Sequence, residues 1–371
     1  MIAIETILIS RSPGETRLAG LDREGRVVLL RHHRPGRSPV AGGIYLGRVI
    51  AVLKDLDAAL VEIGLAQPGF LEAAKARAAK GRSKGAIGQL LSEGEAVRVR
   101  ALSDPFAHKG AKLELLAAEG LLTQTPPLCL EPAPDPLFEL RAAYPDATVE
   151  IEEVGKGRAL PSLFARHEVE AAMEQALAPD VALPGGGRLI IETTAALTAI
   201  DVDGGPRAGL EASLAALPEI ARQIRLRELG GRILVDFAGL GKKQRATLAQ
   251  ALGEALAGDP TPTRIAGITA LGLIELVRER RHTPLADLLL GERPLPALSP
   301  ETVALMGLRA ALALAQSQPG CRPRLALGPA AADRLQGSLA PALAETEARL
   351  GHKLILLRQA ETPEPGYEVL A

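Results

Sequence analysis

Aromatic residues are scarce: Phe, Trp and Tyr together make up 2% of the 371 residues, and tryptophan is missing altogether. Any surface that stacks bases must rest on very few rings. Cysteine is nearly absent as well. Cys129 and Cys321 stand far apart with no Cys-x-x-Cys, which excludes a disulfide framework or zinc–thiolate site and points to a reducing, cytoplasmic setting. Each is expected to be a small buried apolar residue. No stretch stays apolar and uncharged over the ~18–20 residues of a membrane span, so a soluble chain is expected. The opening residues lack the basic, apolar and small-residue blocks of an export signal and alternate like a β-strand. Neither sign of charge dominates, with 43 Lys+Arg against 44 Asp+Glu and a net charge of −1. That argues against binding nucleic acid over the whole surface and leaves room for a local basic patch.

At this length one ordinary core does not suffice, and two to four domains are expected. Strand-like runs at Ile2–Ile9, Thr16–Leu21 and Arg26–Leu30 lead into a turn-rich connector, His33–Pro39. From Gly43 five short strands (Ile44–Val52, Ala58–Ile63, one starting at Pro68, Glu95–Leu102 and Ala111–Leu115) predict an OB-fold barrel. Ala73–Leu91 interrupts them with Lys75, Arg77, Lys80, Arg82 and Lys84. Such a run is a solvated loop by default, yet on an OB barrel it is placed to grip a phosphate backbone. Proline-rich Leu121–Pro136 marks a further boundary.

Between Thr198 and Leu290 strands and helices alternate, as in an α/β layered domain. The pattern predicts strands at Thr198–Asp203, Arg232–Phe237 and near Ile265–Thr269. Helices are predicted over about Glu211–Leu229, Lys242–Ala257 and Leu273–Arg281. From Ser299 a small α+β domain follows, with a helix Glu301–Gln316 and strands around Arg324–Leu327, Lys353–Leu357 and Tyr367–Leu370.

The chemistry-bearing residues sit in this middle segment. Period-two alternation puts Asp201 and Asp203 on one face of the Thr198–Asp203 strand. Asp236 ends the apolar run Ile233-Leu-Val-Asp, where an unpaired carboxylate is costly. If the two strands are neighbours, Asp201 and Asp236 repel unless a divalent cation lies between them. Mg²⁺, with its preference for oxygen ligands and retained waters, suits one or two carboxylates; Mn²⁺ is a substitute. The bland alternative is that these aspartates cap helices or make turns. Arg222, Arg225 and Arg227 are placed to complement a helix C-terminus or be solvated, more than to touch RNA. Gly239-Leu-Gly-Lys-Lys243 lacks the spacing of a phosphate loop. His32, His33 and His282 read as surface residues, and His108 as a loop position.

Together these segments resemble the bacterial ribonuclease E/G family. The resemblance is carried by Thr193–Gly205, by Glu219–Phe237 and by Leu271–Arg280. In the amino-terminal half it is carried by Ile44–Val49, Ala58–Gly64, Gly69–Leu71 and His108–Ala111. It implies an α+β multidomain fold, with an S1-like OB barrel (37–125) inserted in an RNase-H-like subdomain (1–36 with 132–184). A DNase-I-like α/β catalytic domain (185–292) and a small C-terminal α+β domain (299–371) would follow. It also implies an Mg²⁺-dependent endoribonuclease that cuts single-stranded RNA such as an rRNA or mRNA precursor.

Carried over by position, Asp201 and Asp236 are the metal aspartates. Asp203 completes the catalytic set where an asparagine is usual, adding a negative charge. Phe70 and Lys109 match RNA-contacting positions, and Tyr45, Lys80 and Arg82 are further RNA-binding candidates. Leu60 replaces a usual phenylalanine. No counterpart is found of the family's five-prime-monophosphate sensor or of its paired zinc-holding cysteines, the latter replaced by Leu288–Pro300, so no zinc is expected. A homodimer without the zinc link and no membrane partner complete the expectation. The alternatives are a catalytically weak or inactive RNA-binding, ribosome-associated paralogue, and a phosphoesterase acting on small nucleotides.

Overall fold

A computed structural model describes residues 4–35, 39–106, 109–117, 124–156, 161–207, 209–290, 298–359 and 366–371. The fold is mixed α+β and divides into two compact units. One comprises 38–139 with 279–283. The other comprises 1–37, 140–278 and 284–371.

The smaller unit is built on a closed barrel of five strands. Ile44–Leu53 pairs with Ala58–Glu62, which pairs with Gly69–Glu72, then Lys112–Leu115, then Ala96–Ala101, which returns to Ile44–Leu53. In chain order this is 1-2-3-5-4-1, the strand order of an OB-like barrel. Closure leaves no bare edge on the ring. Alternate residues such as Val61, Leu71, Val97, Val99 and Leu113 fill the interior. The segment expected as a proline-rich boundary contributes a strand, Leu128–Glu131, laid against Ile44–Leu53. The expected basic loop is also more ordered: Ala73–Arg77 and Ile87–Leu90 are short helices whose Ala73, Ala76, Ile87 and Leu90 cover the barrel core.

The larger unit holds three sheets. In the first, Thr6–Ser12 lies between Thr148–Glu153, in parallel, and Glu15–Leu21, with Val27–His33 beyond. The last is a carboxy-terminal sheet of Ile355–Arg358, Arg324–Leu327 and Tyr367–Leu370, backed by helices Pro300–Ser317, Pro329–Gln336 and Ala340–Leu350. The turn before Glu15 needs glycine twice over. Gly14 has φ +77°, and a Cβ there would stand 2.7 Å from the Cβ of Ala342 on the carboxy-terminal helix.

The central sheet has six strands in the order Asp180–Ala182, Arg188–Thr193, Thr198–Asp203, Gly231–Phe237, Ile274–Arg278, Thr263–Ile268. Helices Leu210–Leu226 and Lys242–Leu256 cover one face. Leu217, Ile220, Ile224, Leu248 and Leu252 meet Ile200, Val202, Ile233, Val235 and Leu276 in a single core. Leu273–Arg281 was expected as a helix; the structure makes Ile274–Arg278 a strand. Ile274 and Leu276 are buried while Glu275 and Val277 are half-exposed, a period of two that a short apolar run does not distinguish from helix.

Candidate functional site

The strands Thr198–Asp203 and Gly231–Phe237 are parallel neighbours, and their register sets Asp201 against Asp236. Adjacent strands lie ~4.8 Å apart and residues in register project to the same face. Thr198, Ile200 and Val202 face the helices and are buried, while Asp201 and Asp203 are exposed. Asp236 is half-buried between buried Val235 and Phe237. Because the helices cover only one face, burial of the apolar partners forces both carboxylates onto the other. Among the described residues neither Asp201 nor Asp236 has a hydrogen-bond or ion-pair partner. Like charges opposed across neighbouring strands are unfavourable, so the pair is an unbalanced patch of hard oxygen donors.

Asp203 is engaged differently. Its Oδ1 accepts the Gly205 N–H at 3.0 Å, and its Oδ2 lies 3.7 Å from Arg188 Nε, from the residue in register on the next strand. The carboxylate is thus spent on the Gly204–Gly205 turn and balanced by a cation that sequence reasoning passed over. Among the described residues no group of three or more His, Cys, Asp or Glu forms a ligand cage. Two side-by-side carboxylates could hold a hard cation that keeps most of its water.

The barrel carries a second site within its own unit. Phe70 is flanked in register by Leu60 on one side and Lys112 on the other. It lines a cavity of about 390 Å³ together with Lys75, Arg100, Lys112 and Arg280. The Arg280 guanidinium stacks on Phe106, 3.9 Å from the ring centre. Arg100 is paired with Glu114 at 2.8 Å, and Glu72 and Glu279 line the cavity beside Lys75 and Lys112. Lys109 is exposed and exchanges two 2.9 Å backbone hydrogen bonds with Phe106. The following Gly110 backs onto the Pro68 carbonyl, where a Cβ would stand 1.8 Å away. Only glycine lets the chain come this close to the strand that carries Phe70.

Other expectations need correction. Tyr45 is 7% exposed within the barrel core, so it packs instead of presenting a ring to RNA. Lys80 is paired with Glu95 at 2.8 Å and Arg82 donates to the Gln89 carbonyl at 3.2 Å. These contacts brace the loop, although both residues remain exposed. His108 lies outside the described residues. Arg222 and Arg227 are not solvated: Arg222 donates to the Val27 carbonyl at 2.7 Å and Arg227 to the Ala178 carbonyl at 2.7 Å. His32 is buried against Glu15, and His282 is half-buried near Asp104 and Glu139. Cys129 is exposed, not buried.

Barrel and sheet together define a class of chain that joins an OB-like barrel to a two-layer α/β domain with a carboxylate pair on its open face. The ribonuclease E/G family model matches residues 139–281. Ribonuclease G of Escherichia coli strain K12 is 25% identical over 471 aligned positions, covering 94% of this chain and 96% of its own. Ribonuclease G of Haemophilus influenzae is 26% identical over 410 positions, 79% of this chain and 83% of its own. Ribonuclease E of Escherichia coli strain K12 is 38% identical over 135 positions, 34% of this chain and 13% of its own. The chain thus carries a segment, 139–281, that matches the ribonuclease E/G family, and over most of its length it is similar to ribonuclease G.

Proposed function

We propose that this chain is a divalent-metal-dependent endoribonuclease acting on single-stranded RNA. One observation carries the reading: two carboxylates without protein partners stand in register on neighbouring strands of a family whose named members are ribonucleases. Repulsion between Asp201 and Asp236 is tolerated when a cation fills the gap, and their donor set suits Mg²⁺ or Mn²⁺. Such an ion would supply a water of lowered pKa and offset charge on the phosphodiester. Asp201 and Asp236 would hold it. Asp203, fixed by Gly205 and Arg188, would orient the neighbouring backbone.

On the barrel, Phe70 offers one face for a base to stack on, and Lys75 and Lys112 offer charge to phosphates. Phe70 is half-buried with Leu60 beside it, and the Phe106 ring nearby is covered by Arg280, so one base is held where two free rings would hold more. The alignment with Escherichia coli ribonuclease G spans 471 positions against a chain of 371, so at least 100 residues of that relative have no counterpart here. This supports an enzyme that cuts without sensing the five-prime end.

Purified protein with Mg²⁺ should cut an unstructured RNA, at equal rates for monophosphate and hydroxyl five-prime ends. Asp201→Asn and Asp236→Asn should each abolish cutting. Equal cleavage by wild type and both variants would remove the mechanism. The pairing of Asp203 with Arg188 and the presence of Leu60 favour a second reading, RNA binding without cleavage. Tight binding indifferent to Mg²⁺, with intact RNA throughout, would select it.

A further inference from the structure

The open face of the central sheet carries unanswered charge at both ends of one strand. In Gly231–Phe237 the side chains of Ile233, Val235 and Phe237 are buried in the helix-covered core, so Arg232, Leu234 and Asp236 share the other face. Arg232 is exposed. It stands in register with Val277 on the next strand, and Val277 stands in register with Arg264 on the strand beyond, Thr263–Ile268. Arg264 is exposed as well, while the adjacent Ile265 packs against the helix-covered core. Two arginines thus flank one half-buried valine, their backbones ~10 Å apart across two strand spacings.

Among the described residues neither arginine has a hydrogen-bond or ion-pair partner. Glu275, two residues from Val277 on the same strand, is half-buried in register with Leu234 and makes no ion pair with either. A charge on the edge strand Thr263–Ile268 is ordinary protection against further pairing. Arg232 is different. Its strand is interior, with Thr198–Asp203 on one side and Ile274–Arg278 on the other, so it has no edge to guard.

We infer that Arg232 and Arg264 hold a phosphate of the RNA strand a few nucleotides away from the bond being cut. The inference rests on the reading of Asp201 and Asp236 as the cleavage site. Arg232 lies four residues before Asp236, ~13 Å away along the same face. Leu234, in register between Ala199 and Glu275, fills the interval without a positive charge. A phosphodiester chain laid along this strand would meet the aspartate pair and its cation at one end and the arginines at the other. The spacing across Val277 lets both planar forks converge on the oxygens of one phosphate. Such a contact positions the backbone and reads no base. It therefore sets how far the substrate must extend past the cut.

The test is binding of a short fluorescent oligouridine to the full-length protein in chelator, read by anisotropy over a range of salt. For wild type, log affinity should fall linearly with log salt. The double variant Arg232→Gln, Arg264→Gln should lose about fivefold to tenfold in affinity at low salt and ~0.7 from the slope, the value for one single-strand phosphate. Arg322→Gln, which removes an exposed arginine from another part of the unit, should change neither. With Mg²⁺, the KM of the double variant should rise by a similar factor while kcat falls less. Affinity and slope equal to wild type overturn the inference even where Mg²⁺-dependent cutting proceeds. An equal loss in Arg322→Gln overturns it too, because net charge alone then explains the effect. A wild type that binds no oligouridine does the same. A reduced slope in a protein that never cuts keeps the phosphate contact and removes the nuclease reading.

Discussion

Glu15 and Asp201 are both strand carboxylates of the same unit, built in opposite ways. Glu15 is 2% exposed, and two arginines and a histidine surround it. Arg34 Nε donates at 2.8 Å, His32 Nδ1 lies at 3.2 Å, and Arg309 of the helix Pro300–Ser317 pairs with its other oxygen. Arg17 extends the cluster to Glu170 at 2.7 Å, and Arg34 reaches Thr302 at 3.3 Å. Burial acts to raise the Glu15 carboxyl, yet Arg309, His32 and Arg34 together hold it well below the ordinary carboxylate range. Burial likewise brings Arg309 down to about 10, with Arg17 adding to the fall and Glu15 opposing it. Asp201, by contrast, is exposed beside a second acid and has no cation among the described residues. A carboxylate whose charge is answered inside the fold serves the fold. One whose charge is left open serves something that arrives later.

That contrast can be broken most severely at the open pair. Asp201→Asn or Asp236→Asn should lower RNA cleavage by ~10³-fold or more, since several kcal/mol of charge stabilisation would go. In chelator the same variants should melt at or above the wild-type temperature, because a repulsion has been removed. A lower Tm with full activity would reverse the assignment of the two sites.

Glu15→Gln should do the converse. Removing the acid strands Arg309 and Arg34 in a buried cluster, a loss of ~3–5 kcal/mol in a denaturant melt. Cleavage per folded molecule should hold. Acid should produce a graded version of this effect. Burial lowers His32 despite its bond to Glu15. The unfolded chain therefore takes up a proton first, and stability should fall as pH drops below about 6.5. Glu15 adds a second loss below its ordinary value near 4.5, continuing as pH falls through its folded value. Tm measured from pH 8 to ~pH 2.5 should show both, and His32→Gln should erase the first. The smallest effects belong to the barrel. Phe70→Ala should weaken RNA binding by ~1–3 kcal/mol without moving Tm. Lys112→Ala should reduce the salt slope by ~0.7, the value for one phosphate contact to a single strand.

Much of the aspartate sheet was readable before folding. The alternation Thr198-Ala-Ile-Asp-Val-Asp fixes which residues share a face, and the observed burial follows it residue by residue. What could not be read was partnership. The basic residues of Glu219–Gly230 look like a solvated helix end, yet Arg222 and Arg227 reach backbone carbonyls at Val27 and Ala178. His32 looks like surface because its partner Glu15 lies across a strand pair, not nearby in a motif. Tyr45 carries the right chemistry for RNA, but barrel closure turns it inward. Lys112 and Arg280 show no local signal at all. They matter because one is in register with Phe70 and the other, 168 residues further along, lines the same cavity.

The sequence by itself determined the periodicities: which strands have one polar face, where the barrel strands fall, and that acids end two apolar runs. Those follow from local rules of spacing and burial that any short segment obeys alone. Tertiary structure decided which charges meet. Register set Asp201 against Asp236, and packing of the larger unit enclosed Glu15 with Arg34, Arg309 and His32. Coulomb energy depends on separation and surroundings, and chain order fixes neither.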